Sequence, residues 1–308
     1  MPLVVNDRVP GFMLLNRLSS VVRYAGMAGW SIFWISLALL LGWVRRDPAL
    51  PLRFARRLHA WMNEGFRELG DWIGVGTGDT VRAVVSSPSF RTDPSAAARA
   101  IGEQSGRSLA SNGAVMRTAI VGCLHGKDHA AAAADAEKLC RVTHADPRCV
   151  LSCVAVAVAI AALGQPSSGG PPPWDAVLAE VKASWGRVDA PAGCKQEGLK
   201  YLEPPSLAAL GLDAPDQIGY TFKTMGAAFW GLSQVMQAGG AGVFERMIDA
   251  LVRQGGDADT NAAVAGALAG CHLGFAALPS AWVRVLPFRG WLESKVRALV
   301  RLLRDLYS

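Results

Sequence analysis

None of the six cysteines in this 308-residue chain (Cys123, Cys140, Cys149, Cys153, Cys194, Cys271) belongs to a Cys-x-x-Cys pair. That argues against a zinc ribbon or a disulfide framework. Thiols set in apolar runs such as Cys149-Val-Leu-Ser-Cys153 read instead as buried, reduced core residues of a cytoplasmic protein. Runs of alternating apolar and polar residues are scarce, which removes the signature of half-buried strands. No self-similar period of the solenoid kind is evident. Nor is there a single basic stripe: 31 Lys and Arg against 25 Asp and Glu give a net charge of +6, but the cations are dispersed. Dispersed charge suits a solvated surface or a binder of small anions, and no nucleic-acid partner is expected.

Charge is also missing locally. From Tyr24 to Val44 there are 21 consecutive uncharged residues between Arg23 and Arg45-Arg46, long enough to span a bilayer. A membrane-inserted segment and a fully buried core helix both fit this pattern. The helical remainder of the chain favours the core helix, because removing the segment would leave neighbouring helices uncovered. No Ala-x-Ala cleavage site follows, so a cleaved secretory signal is the weakest of the three readings.

What is present is apolar and helical. Hydrophobic residues make up 51% of the chain, enough for a substantial core. They recur at three- and four-residue spacing, as in Phe54, Leu58, Trp61, Met62, Phe66 and Leu69. This periodicity predicts an all-α fold, with helices over about 48–69, 93–105, 113–124, 129–140, 147–163, 174–185, 220–238, 242–254, 260–275 and 289–306. We read residues 1–47 as an atypical apolar segment packed on, or leading into, one helical domain of residues 48–308.

The densest chemistry lies in Gly255-Gly256-Asp257-Ala258-Asp259-Thr260-Asn261, which opens a helix of small residues. Two carboxylates and a hydroxyl at a helix start can converge on a hard cation such as Mg²⁺, and the glycines permit a sharp entry turn. The ordinary alternative is that Asp257, Asp259 or Thr260 merely caps the helix. Gly74-Val-Gly76, with the following Thr and Gly residues, could offer main-chain N–H groups to phosphate, or could be a plain turn. It has neither the preceding strand nor the lysine of a nucleotide P-loop.

Asp257-Ala-Asp259-Thr260-Asn261 with its small-residue helix resembles the C-terminal metal motif of the ADP-ribosylglycohydrolase family. Ser111-Asn112-Gly113-Ala-Val-Met-Arg117 is similar to that family's substrate loop. Thr143-His144-Ala-Asp146-Pro147 and Ile218-Gly219-Tyr220-Thr221-Phe-Lys223 look like segments of its fungal members, and the resemblance runs from about residue 48 to the C-terminus. It implies a compact multi-helix fold and a Mg²⁺-dependent hydrolase that removes ADP-ribose from modified proteins or small acceptors. It further implies metal binding by Asp257, Asp259 and Thr260, and substrate binding by Gly74, Gly76, Ser111, Asn112, Gly113, His144, Gly219 and Tyr220. For His144 a structural hydrogen-bonding role competes with ligand contact, and for Tyr220 a core position competes with a place against adenine.

Enzymes of the family carry a second, N-terminal acidic motif that completes a two-Mg²⁺ centre. In that register this chain has Trp30-Ser31-Ile32-Phe33-Trp34, without a carboxylate. Two divalent ions repel strongly unless several carboxylates surround them. One Mg²⁺ or none is therefore expected here, with impaired hydrolysis and no catalytic residue assigned. Asp7, Asp47, Glu64 and Asp79 are the carboxylates that could substitute in space. An inactive ADP-ribose-binding or scaffold protein is the alternative. A misread first exon and a true loss of activity explain the N-terminus equally well.

Overall fold

A computed structural model describes residues 47–74, 76–106, 109–164 and 170–307. The uncharged stretch Tyr24–Val44 and the N-terminal segment expected over 1–47, save its last residue, lie outside these. Among the described residues there are helices and no strands: α1 (Leu50–Glu64), α2 (Asp79–Val85), α3 (Pro94–Gln104), α4 (Val115–Thr118), α5 (His129–Arg141), α6 (Pro147–Leu163), α7 (Trp174–Gly186), α8 (Ala192–Leu202), α9 (Thr221–Ala238), α10 (Val243–Val252), α11 (Ala258–Leu273), α12 (Ser280–Val285) and α13 (Arg289–Tyr307), with short 3₁₀ turns between some of them. None is long and apolar enough to cross a membrane.

α6 lies at the centre because its sequence allows nothing else. It is apolar all round, so no face can be left in water, and every residue from Cys149 to Leu163 is buried. Asp146 starts it by accepting the Arg148 N–H, with Pro147 in the first turn. Around it pack α4, α5, α7, α8, α9 and α11. The indole of Trp185 in α7 donates to the Leu151 carbonyl of α6 at 2.9 Å, which satisfies its one polar atom within the core.

The stretch 113–124, expected as one helix, is α4 followed by a 3₁₀ turn at Ala119–Leu124. Here Gly122 lies flat against the α6 main chain. A Cβ at that position would overlap the Ala157 carbonyl oxygen and sit 2.8 Å from the Ile160 Cβ. The tighter turn fits this close approach.

The helices that frame the site are α9 and α11, which pack through small side chains. A Cβ on Gly231 of α9 would lie 3.1 Å from the Ala265 Cβ of α11. At that distance two backbones interlock with almost no side chain between them. α10 covers them through Val243, Phe244, Met247 and Leu251. On the outside, α13 returns to the start of the described chain, where Trp291 donates to Glu68 at 2.5 Å and its ring meets Phe66 at 5.5 Å.

Candidate functional site

The site begins with a helix that lacks the usual cap. Asp257 occupies the N-cap position of α11, yet its carboxylate caps none of the helix's main-chain N–H groups. Asp93, Asp128 and Asp146, which start α3, α5 and α6, each cap in the ordinary way. Asp257 Oδ2 instead accepts from the Asn112 Nδ2 at 2.7 Å, across 145 residues of sequence. The ordinary capping role therefore does not account for this aspartate.

Asn112 is itself buried and held firmly. Its Nδ2 also donates to Thr224 Oγ1 at 2.9 Å, and Thr224 passes the chain on to Asn261 Oδ1 at 2.7 Å. Asn112 N donates to the Gly219 carbonyl at 2.8 Å, and Thr221 N to the Ala110 carbonyl at 2.9 Å, forming an isolated antiparallel bridge between Ser111 and Tyr220. The Cys149 thiol at the start of α6 donates to the Ser111 carbonyl at 3.3 Å. One loop is thus tied to α6, α9 and α11 together.

The entry turn of α11 needs its glycine. Gly256 has φ +63°, and a Cβ there would overlap the Leu212 carbonyl oxygen and lie 2.8 Å from the Leu212 carbonyl carbon. Gly219, with φ +79°, likewise lets the Asn112 loop close on the Asp257 carboxylate, which would lie 3.7 Å from a Cβ at that position.

Together these groups line a cleft of about 590 Å³. One wall is Ser111, Asn112, Gly113, Met116 and Arg117; a second is the segment Gly76–Val81; Asp257, Asp259 and Thr260 form a third, and Leu58 and Trp61 of α1 supply an apolar side. Asp259 faces solvent, but its inner side lies against protein. This partial loss of water, followed by the neighbouring Asp257 carboxylate, raises the Asp259 carboxyl above its usual range. Two neighbouring carboxylates and a hydroxyl are a donor set suited to a hard cation. Among the described residues, no cluster of three or more acidic, histidine or cysteine side chains is placed to hold a metal ion.

The structure brings together Gly76, Ser111, Asn112, Gly113, Asp257, Asp259 and Thr260 on this cleft, with Gly219 just behind. The other sequence candidates stand elsewhere. Gly74 packs against Trp61, where a Cβ would come 2.7 Å from its carbonyl oxygen. His144 is buried behind Ser111 and lines a smaller adjoining cavity of about 210 Å³. Tyr220 does not line the cleft: its hydroxyl donates to Glu197 at 2.6 Å, and its ring lies under the Arg148 guanidinium and against Tyr201 and Phe222.

Of the carboxylates considered as spatial substitutes, Asp79 reaches the cleft. It does so at the rim, where its exposed side chain pairs with Arg82. Thr80, Leu58, Trp61 and Arg117 are cleft residues assigned no site role from sequence, while Thr77 belongs to the glycine-rich loop read as a phosphate candidate. Arg117 carried a signal as the last residue of the Ser111 segment.

A family model described as ADP-ribosylglycohydrolase matches residues 33–307. Among solved structures, a chain of an ADP-ribosylglycohydrolase-related protein complex superimposes with a TM-score of 0.65 at 23% identity, covering 96% of this chain and 99% of that one. At that identity the likeness shows the shared fold. No curated protein matches the chain.

Proposed function

This chain belongs to the ADP-ribosylglycohydrolase family, and from that premise we propose that its cleft binds ADP-ribose, free or attached to a protein or small acceptor. Family membership suggests an ADP-ribosylglycohydrolase-like function. The observation that carries the finer reading is Asp257, which caps no main-chain N–H of its helix and is held by Asn112 on a cleft that the Gly76–Thr80 segment also lines. A volume of about 590 Å³ falls in the range of small-molecule sites, and its mixture of hydroxyls, amides and an apolar side suits a nucleotide sugar.

Asp257, Asp259 and Thr260 are the residues that would hold a Mg²⁺. Bound there, the ion would orient the ribose and polarise the leaving group or a water. The donor set favours one ion: it offers two neighbouring carboxylates and a hydroxyl, and no third carboxylate stands beside them among the described residues. Asn112 aligns Asp257 by donating to it, and Leu58 and Trp61 exclude water from one side of the cleft. With this incomplete acidic set we expect ligand binding to outlast efficient hydrolysis of the ADP-ribosyl glycosidic bond.

Isothermal titration with ADP-ribose, with and without Mg²⁺, tests the reading beside a turnover assay on ADP-ribosylated protein. We expect binding that Mg²⁺ strengthens and that Asp257→Asn with Asp259→Asn weakens. No binding at millimolar ADP-ribose would refute the cleft assignment, and brisk turnover would refute the impairment.

A further inference from the structure

Behind Ser111 runs a chain of hydrogen bonds that begins on a buried charge. Arg117 is almost wholly inaccessible and has no carboxylate partner among the described residues. Its Nη1 donates to the Gly113 carbonyl at 2.8 Å and its Nη2 to Leu139 O at 3.1 Å, while Nη2 also meets Thr143 Oγ1 at 2.6 Å. Thr143 Oγ1 lies 2.8 Å from His144 Nδ1, and His144 Nε2 lies 2.8 Å from Ser111 Oγ. Ser111 Oγ is 3.2 Å from Oγ1 of Thr80, a residue that lines both the cleft and the smaller cavity beside it.

The direction of this chain follows from counting hydrogens. A guanidinium can only donate, so the contact with Arg117 uses a lone pair of Thr143 and leaves the Thr143 hydrogen free. His144 Nδ1 is the acceptor within its reach. If Nδ1 accepts, Nε2 carries the ring proton and donates to Ser111, and the Ser111 hydrogen then goes to Thr80. The Thr80 hydrogen has no acceptor among the described residues and is left for a ligand oxygen. In the opposite tautomer Thr143 accepts twice and its hydrogen is stranded in a buried place, at a cost of about 1–3 kcal/mol.

We propose that Arg117 and Thr143 are positioning residues that fix His144 as the neutral Nε2–H tautomer, so that Thr80 presents a hydroxyl donor to an oxygen of the ligand in the cleft. This deepens the ADP-ribose reading and rests on it only for the identity of the ligand. Burial, and then the charge of Arg117, hold the His144 imidazole well below its ordinary value, so the ring stays neutral at physiological pH. Gly113 closes the other side of the ring, because a Cβ there would lie 3.3 Å from His144 Cε1. His144 therefore acts from behind the wall of the cleft, and the Ser111–Thr80 pair meets the ligand.

Nitrogen-15 NMR of the full chain with labelled histidine reads the tautomer directly and without ligand. His144→Gln identifies the signal. We expect a neutral Nε2–H ring whose pattern is unchanged in Thr143→Ser and lost to a mixture in Thr143→Val. ADP-ribose titration should show about a tenfold weakening for Thr143→Val, the size of one lost oriented bond, with Thr143→Ser restoring it. A protonated or Nδ1–H ring in the unmodified protein would overturn the proposal, as would a Thr143→Val protein with unchanged tautomer and affinity. If Thr143→Val fails to fold, the tautomer of the unmodified chain and of Thr143→Ser still decides. Failure of the unmodified protein to bind ADP-ribose, with the Nε2–H ring intact, would instead strike at the ligand assignment.

Discussion

The two glycines before Asp257 provide a matched pair for testing why the α11 entry turn is built as it is. Both have positive φ, +71° at Gly255 and +63° at Gly256, so alanine at either position pays the left-handed penalty of about 1–2 kcal/mol. They differ in what a Cβ would meet. At Gly255 the nearest atom is the Asp213 Cβ at 3.8 Å, an ordinary contact, whereas at Gly256 the Leu212 carbonyl group stands in the way. That obstruction is main chain and has no rotamer into which to retreat, so overpacking adds about 1–3 kcal/mol. We expect Gly255→Ala to lower unfolding free energy in urea by about 1–2 kcal/mol and Gly256→Ala by about 2–5 kcal/mol. Because Gly256 adjoins Asp257, its variant should also lose ADP-ribose affinity, while Gly255→Ala keeps most of it. Equal destabilisation by the two substitutions would refute the steric argument.

Three further predictions concern charge and the core. Asp259 has a raised carboxyl, so just above the ordinary carboxyl range the native state holds more protons than the unfolded chain, and stability falls as pH rises through that window. Asp259→Asn should therefore raise the Tm of the metal-free protein at neutral pH, and Mg²⁺ should raise the Tm of the unmodified chain but not of the variant. A lower Tm in scanning calorimetry would contradict this. Asn112→Asp sets a carboxylate against Asp257 where a 2.7 Å hydrogen bond stood, and the damage should be greatest at neutral pH and eased by millimolar Mg²⁺ or by acid. Trp185→Phe removes the donor to Leu151 and opens space beside α6, at a cost of about 1–3 kcal/mol by urea unfolding.

Long elements with strong periodicity or complete apolarity were legible in the sequence. α6 follows from a run that no solvent-facing helix could carry, and Asp146-Pro147 marks its start. α2, α8 and α12 did not stand out: they are short or interrupted by glycine, and their place is set by neighbours more than by a stripe of their own. The Asp257 cluster was visible because its chemistry is contiguous. The glycine-rich loop at Gly76 was visible too, but its meeting with the Ser111 loop and the burial of Arg117 were not, since both arise where distant segments meet. Tyr220 illustrates the limit of motif reading: it adjoins the site in sequence through Gly219, but its ring turns into an aromatic cluster with Tyr201 and Phe222.

The bond between Asn112 and Asp257 joins residues 145 positions apart. A growing polypeptide leaving the ribosome cannot close that link until residue 257 has emerged, and loop closure of this length is slow to nucleate. Until then the Asn112 segment lacks its acidic partner, whatever helices have already formed around α6. Chains released before residue 257 would be helical yet would lack the Asp257–Asp259 wall of the cleft, which makes ligand binding a stringent report on synthesis past that point.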